Sequence, residues 1–214
     1  MIQALAREIL KNRGFPLQRT SRFRSAIAAT AFALWLANAA VAQTTVLQVD
    51  KTQTTAQITL PATLHTVHGK FLLDRGVVRF DQASAKISGE IVFDATSGKT
   101  GNEGRDRKMH KDVLESGKFS QISFRPDRIE GKVSPSGTST AQVHGIFTLH
   151  GTEHELTVPV EVKFEANRWQ ATARFQVPYE KWGLKNPSTL FLHVDDSVNV
   201  EFHGEGTIDI PAPQ

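Results

Sequence analysis

Five stretches of this chain alternate apolar and polar side chains with a period of two, and that pattern limits the fold more than any other feature. Ile87, Gly89, Ile91 and Phe93 alternate with Lys86, Ser88, Glu90 and Val92. The odd-numbered side chains from Ala141 to Leu149 are apolar or glycine, against Gln142, His144, Ile146 and Thr148. Leu156, Val158, Val160, Val162 and Phe164 continue the pattern, as do Trp169, Ala171, Ala173, Phe175 and Val177. The last stretch runs from Val198 to Ile210. Successive side chains of a strand point to opposite faces, so each stretch has one dry and one wet face. That is the pattern of an antiparallel sheet with one face on a core.

Weaker strand patterns cover Thr45 to Asp50, Ala56 to Leu60, Val67 to Leu73, Val77 to Phe80, Gln121 to Arg125 and Ile129 to Val133. Many strands joined by short polar connections predict a sandwich or barrel, and runs this long favour a barrel that removes its own edges. One segment departs from the pattern. Arg105 to Ser116 reads as a short amphipathic helix, with Met109 and Val113 one turn apart and Gly117 as its stop. It is expected to lie over one end of the barrel. The glycine-rich stretch before it, Gly98 to Gly104, lacks phosphate-loop spacing and reads as a flexible entry to the helix.

Charge is distributed unevenly. Residues 1–42 carry six basic side chains against one acidic, whereas residues 43–214 carry 19 against 21. Without the front segment no basic excess remains to attract nucleic acid. That segment reads as a cleaved secretory signal: a basic region to Arg24, an uncharged run from Ala26, and the small-x-small ending Ala40-Val41-Ala42. A membrane anchor is the rival reading, but the run is Ala-rich and short of the ~20 strongly apolar residues of a spanning helix. The expected organisation is therefore a signal peptide at 1–42 and one barrel domain at 43–214, located in the periplasm. The chain has no cysteine, so its stability rests on the core alone.

His150, Glu153 and His154 form an H-x-x-E-H match, the spacing of some zinc peptidases. Such a site needs a helix to bring both imidazoles to one metal. Here His150 ends one alternating run and Leu156 opens the next, with Gly151-Thr152 where a hairpin turn is expected. The match therefore reads as a polar hairpin tip, and a zinc hydrolase is the least favoured function. No metal or other cofactor is expected. Asp195-Asp196 are adjacent carboxylates that point apart in extended chain, which argues against paired acid–base work.

The dry faces carry the functional signal. Phe71, Ile91, Phe93, Phe124, Phe147 and Val160 are expected on the inner wall. So are Phe164, Trp169, Phe175, Val200 and Phe202, with Trp182 rimming the mouth from the loop Tyr179 to Leu184 or simply anchoring it. An aromatic wall with few charges suits an apolar ligand. Glycines at 89, 145, 204 and 206 share those faces. They read either as bends in the strands or as space left for a ligand.

Three segments together resemble the YceI-like family. SGKTGNEGRDRKMHKDVLESGKFSQISFRP carries Thr100, Gly101, Asn102, Arg105, Asp106, Phe119, Ile122 and Phe124 in the family's order. Upstream, Gly69 and Phe71 stand in a G-x-F segment; downstream, Gly145, Thr148, Leu149 and Gly151 match another. The resemblance implies an exported, lipocalin-like antiparallel β-barrel with one short inserted α-helix. Its interior would bind a polyisoprenoid chain or the isoprenoid tail of a quinone, without catalysis. The expected partners are an apolar lipid and, transiently, a membrane surface. The alternative is a barrel with a filled core that acts through a protein partner.

Overall fold

The computed structural model describes residues 44–63, 65–81, 84–189 and 193–209. The expected signal segment lies outside them. The strands are β1 (Thr44–Val49), β2 (Thr55–Leu60), β3 (Val67–Asp81), β4 (Lys86–Lys99), β5 (Gln121–Glu130), β6 (Gly137–Leu149), β7 (Thr152–Glu165), β8 (Arg168–Val177) and β9 (Val198–Asp209). A helix, α1 (Glu103–Lys108), continues into a π-helical turn (Met109–Val113) between β4 and β5.

Every strand pairing is antiparallel, and the sheet closes on itself through β3 and β4. β1 and β2 lie end to end in one slot. β1 pairs with the far half of β3 and the end of β9, and β2 pairs with the near half of β3 and the start of β9. The nine segments thus build an eight-stranded closed barrel, as the alternating runs predict. Between β1 and β2 the chain leaves the ladder for Asp50 to Thr54. Asp50 Oδ1 accepts bonds from the Thr52 amide and hydroxyl, and the buried Thr54 hydroxyl meets the backbone of Glu205 on β9.

Two expected pairs of short strands are each a single long one. Val67 to Leu73 and Val77 to Phe80 merge in β3, across register shifts near Leu73 and Arg75. Gln121 to Arg125 continues into β5 across a shift between Pro126 and Arg128. Asp74-Arg75-Gly76 and Pro126-Asp127 look like turns by composition, but the strands bulge there without ending. The helix also differs from expectation: its helical residues are 103–113, not 105–116. Asn102 caps it by accepting from the Arg105 amide at 3.0 Å, and Glu115 rather than Gly117 takes the left-handed conformation beyond its end, at φ 45°.

The core falls into three neighbouring clusters. Leu47, Val78, Val162, Phe164, Trp169 and Ala171 pack at one end. Ala56, Phe71, Leu73 and Phe93 pack along β2 to β4, and Leu149, Val177, Tyr179 and Leu184 pack near the loop after β8. The chain turns at the first end are tight. The described residues of the long connections after β2, β4 and β8 gather at the opposite end. Among the described residues no helix is long and apolar enough to cross a membrane.

Candidate functional site

The barrel encloses a cavity of about 650 Å³, within the ~300–1,000 Å³ typical of small-molecule sites. It reaches from Trp169, Phe164 and Ile87 at the tight-turn end to His65, Lys108 and Thr189 at the end bearing the helix. Eleven of the twelve expected wall residues line it. Phe71, Ile91 and Phe93 come from β3 and β4; Phe124, Phe147, Val160 and Phe164 from β5 to β7; Trp169, Phe175, Val200 and Phe202 from β8 and β9. The cause is register: cross-strand partners share a face, and Ile91 is paired with Phe124, Phe124 with Phe147, and Phe175 with Val200. The rings are arranged edge to face. Phe93 meets Phe202 at 6.2 Å and 88°, and Phe147 meets Phe175 at 6.2 Å and 73°. At the deep end Trp169 donates its indole N–H to the Gln48 carbonyl at 3.1 Å, which satisfies the one polar atom of that ring.

Trp182 is the twelfth, and it is not part of the lining. Its ring stacks on His154 at 4.1 Å and 3° and lies 5.7 Å from Phe147. It anchors the loop after β8, the plainer of its two expected roles. Tyr179 in the same loop is buried and donates its hydroxyl to the Asp195 carbonyl at 2.5 Å. Burial and the nearby carboxylates Glu180, Asp196 and Asp195 push its phenol up to about 12.

The dry-face glycines do not provide the cavity's space. A Cβ at Gly206 would lie 1.7 Å from the Gln48 carbonyl oxygen, and one at Gly145 2.3 Å from that of Arg125. At Gly204 the ring of Phe202 already occupies the position. These glycines admit close backbone or ring neighbours, so the space reading does not hold for them. The room comes instead from the closed eight-strand girth and from small inward residues such as Ala56, Ala171 and Ala173.

The segment before the helix is tied, not flexible. The Asp106 carboxylate accepts from the Thr100 amide at 2.9 Å and from its hydroxyl. Arg105 donates to the Thr100 hydroxyl and carbonyl, each at 2.7 Å. Burial raises the Asp106 pKa, but the Thr100 bonds and the Arg105 charge outweigh it and hold the carboxyl below its usual value. His110 bridges the Ser116 hydroxyl at 2.9 Å and the Gly98 carbonyl at 2.8 Å. This strap places Met109, Val113 and Leu114 against the cavity. The sequence shows Met109 and Val113 as an apolar pair, but their role in the wall follows only from the strap.

The H-x-x-E-H match lies on the β6–β7 hairpin. Leu149 pairs with Thr152, so the turn residues are His150 and Gly151, one residue earlier than expected, at φ 53° and 75°. His150 meets Glu115 at 3.0 Å, Glu153 binds Arg125 at 2.7 Å, and His154 stacks on Trp182. The three side chains do not converge. Among the described residues no group of three or more His, Asp or Glu is placed to hold a metal.

The YceI-like domain model matches residues 47–206, three-quarters of the chain, including all of β2 to β8 and most of β9. The chain belongs to the YceI-like family. Solved YceI-like folds superpose on this barrel. The crystal structure of Burkholderia cenocepacia BcnA has a TM-score of 0.62 at 20% identity, covering 74% of this chain and 99% of that one. A polyisoprenoid binding domain from Saccharophagus degradans, implicated in plant cell wall breakdown, gives 0.56 at 15%, covering 77% and 98%. The Campylobacter jejuni YCEI protein gives 0.55 at 18%, covering 68% and 86%. No curated protein matches the chain. At these identities the likeness is one of fold.

Proposed function

We propose that this YceI-like protein is an exported binding protein that holds a long apolar lipid, a polyisoprenoid or the isoprenoid tail of a quinone, inside the barrel. The observation that carries the reading is the cavity itself, about 650 Å³ with an almost wholly apolar wall. Water is a poor occupant, because each buried molecule needs two to four polar partners and most of the wall offers none. An apolar chain fills the space and gains ~25 cal/mol for each Å² of apolar surface removed from water.

The reading needs no catalysis. A protein of this kind would work in the periplasm, reached by the signal segment at 1–42, and would meet a membrane briefly when it exchanges its cargo. The polyisoprenoid-binding likeness of the Saccharophagus degradans domain supports this class of ligand. Native mass spectrometry of protein purified from its own periplasm, followed by organic extraction, tests it. A bound mass of several hundred daltons with isoprenoid fragments is expected. A ligand-free mass, with no uptake of added quinones or polyprenols, would overturn the reading.

A further inference from the structure

Ten lysines and arginines stand on the barrel strands, and they divide by flank. All five on β5, β7 and β8 meet a carboxylate at 2.5–3.5 Å. On β3, Arg75 does the same with Asp74 and Glu90. The other four are Lys70 and Arg79 on β3 and Lys86 and Lys99 on β4, all exposed. Their side chains have no hydrogen-bond or carboxylate partner among the described residues.

The acids of the same two strands are turned elsewhere. Asp74 and Glu90 hold Arg75, Asp94 accepts from the Thr96 amide and hydroxyl, and Asp81 accepts from the Ser84 amide. Lys70 and Lys99 stand directly opposite each other in the ladder. Two like charges so placed are destabilising, and an anion from outside the chain relieves them. Between the cations lies Leu72, the one large apolar side chain that is exposed among the described residues, at 51%. The far side of the barrel has the opposite sign. β7 lies four strand positions from β3 around the ring and exposes Glu153, Glu155, Glu161 and Glu165 against Lys163. A molecule charged in this way turns its β3–β4 flank toward a negative surface.

The free cations extend from Lys70 to Arg79, about 30 Å along the strand. One apolar side chain among them does not make a protein interface, whose centre is apolar and rich in aromatics. It suits a layer of acidic lipid head groups, where each cation acts nearly on its own. We propose that the β3–β4 flank is the face by which this protein lies on an anionic membrane, with Lys70, Arg79, Lys86 and Lys99 on the head groups and Leu72 dipping between them. This rests on the membrane contact in the reading above and is independent of what the cavity holds.

The test is cosedimentation of the protein, purified from the periplasm, with vesicles of phosphatidylcholine alone or mixed with phosphatidylglycerol. The mixed vesicles should bind it, the neutral ones should not, and salt should weaken the binding. Lys70→Gln with Lys99→Gln should weaken it about tenfold to thirtyfold, at about fivefold for each cation. Lys163→Gln with Arg174→Gln removes equal charge from the far side and should leave it nearly unchanged. Equal losses in the two double variants, or none in the first, would overturn the proposed face while leaving membrane contact intact. No binding to either vesicle would overturn the membrane contact as well. The chain has no cysteine, so Leu72→Cys and Glu155→Cys each accept one environment-sensitive dye. The dye at 72 should brighten on the mixed vesicles and the dye at 155 should not; equal brightening at both would refute the orientation.

Discussion

Ala173→Leu should make the lipid-free protein more stable and the lipid-bound protein weaker. Ala173 is buried, lines the cavity and pairs with Val160 on one side and Phe202 on the other. Leucine adds three carbons pointing into the void. Each buried carbon is worth ~0.8 kcal/mol, so the gross gain is ~2.4 kcal/mol. Fixing the leucine rotamer costs ~0.5–1 kcal/mol, which leaves ~1.5–2 kcal/mol. For a domain of this size that raises Tm by ~3–8 °C. Differential scanning calorimetry on delipidated protein reads the change, and a polyprenol titration reads the affinity, which should fall because the new side chain takes the ligand's space. In a filled barrel the same substitution would overpack the core and cost ~1–3 kcal/mol. A lowered Tm in the lipid-free state would therefore refute the inference that the interior is open.

Three further outcomes follow from the strap, the stacked histidine and the tyrosine. Asp106→Asn removes the carboxylate that holds Thr100 and should cost about 1–2 kcal/mol in denaturant unfolding. Because the folded Asp106 has a depressed pKa, its stabilisation is present above about 3.8 and is lost as pH falls through the lower folded value, so the loss in the variant should vanish in strong acid. Burial lowers the His154 pKa below 6.5, and its Nε2 is buried without a partner, so the unfolded chain binds the proton more readily. Stability should then decline as pH drops below 6.5, and His154→Phe should flatten that decline in Tm measured between about pH 7.5 and pH 5; an unchanged slope would assign the pH dependence to other groups. Tyr179 is the chain's one tyrosine, so ultraviolet titration of the folded protein reads it alone. The phenolate should form near 12, returning to about 10 on denaturation.

The fold was legible where alternation ran unbroken. From β6 to β9 each long run fixed its own inner face, and register then carried Phe147, Phe164, Phe175 and Phe202 to a single cavity. It was illegible where a bulge imitates a turn. Asp74-Arg75-Gly76 and Pro126-Asp127 have turn composition, and what keeps them in strands is a pairing partner far along the chain. The glycines show a similar limit. Their position on the dry face is visible in the sequence, but whether a glycine makes room for ligand or for a neighbouring carbonyl depends on an approach such as Gln48 to Gly206. Trp182 and the strap cations share that limit, because loop side chains have no periodicity to assign them a face.

The strap has a kinetic consequence. Its helical residues contribute no fully buried side chain; side-chain bonds at Thr100 and from His110 to Gly98 of β4, with the half-buried Met109, Val113 and Leu114, fasten it to the barrel. At ~1 kcal/mol net for each, its release costs only a small part of what unravelling the barrel ladder would. If cargo enters and leaves past the strap, residence time and thermal endurance would be set by different parts of the molecule, and a substitution at Thr100 should change how long the occupant remains far more than how hot the barrel can be made.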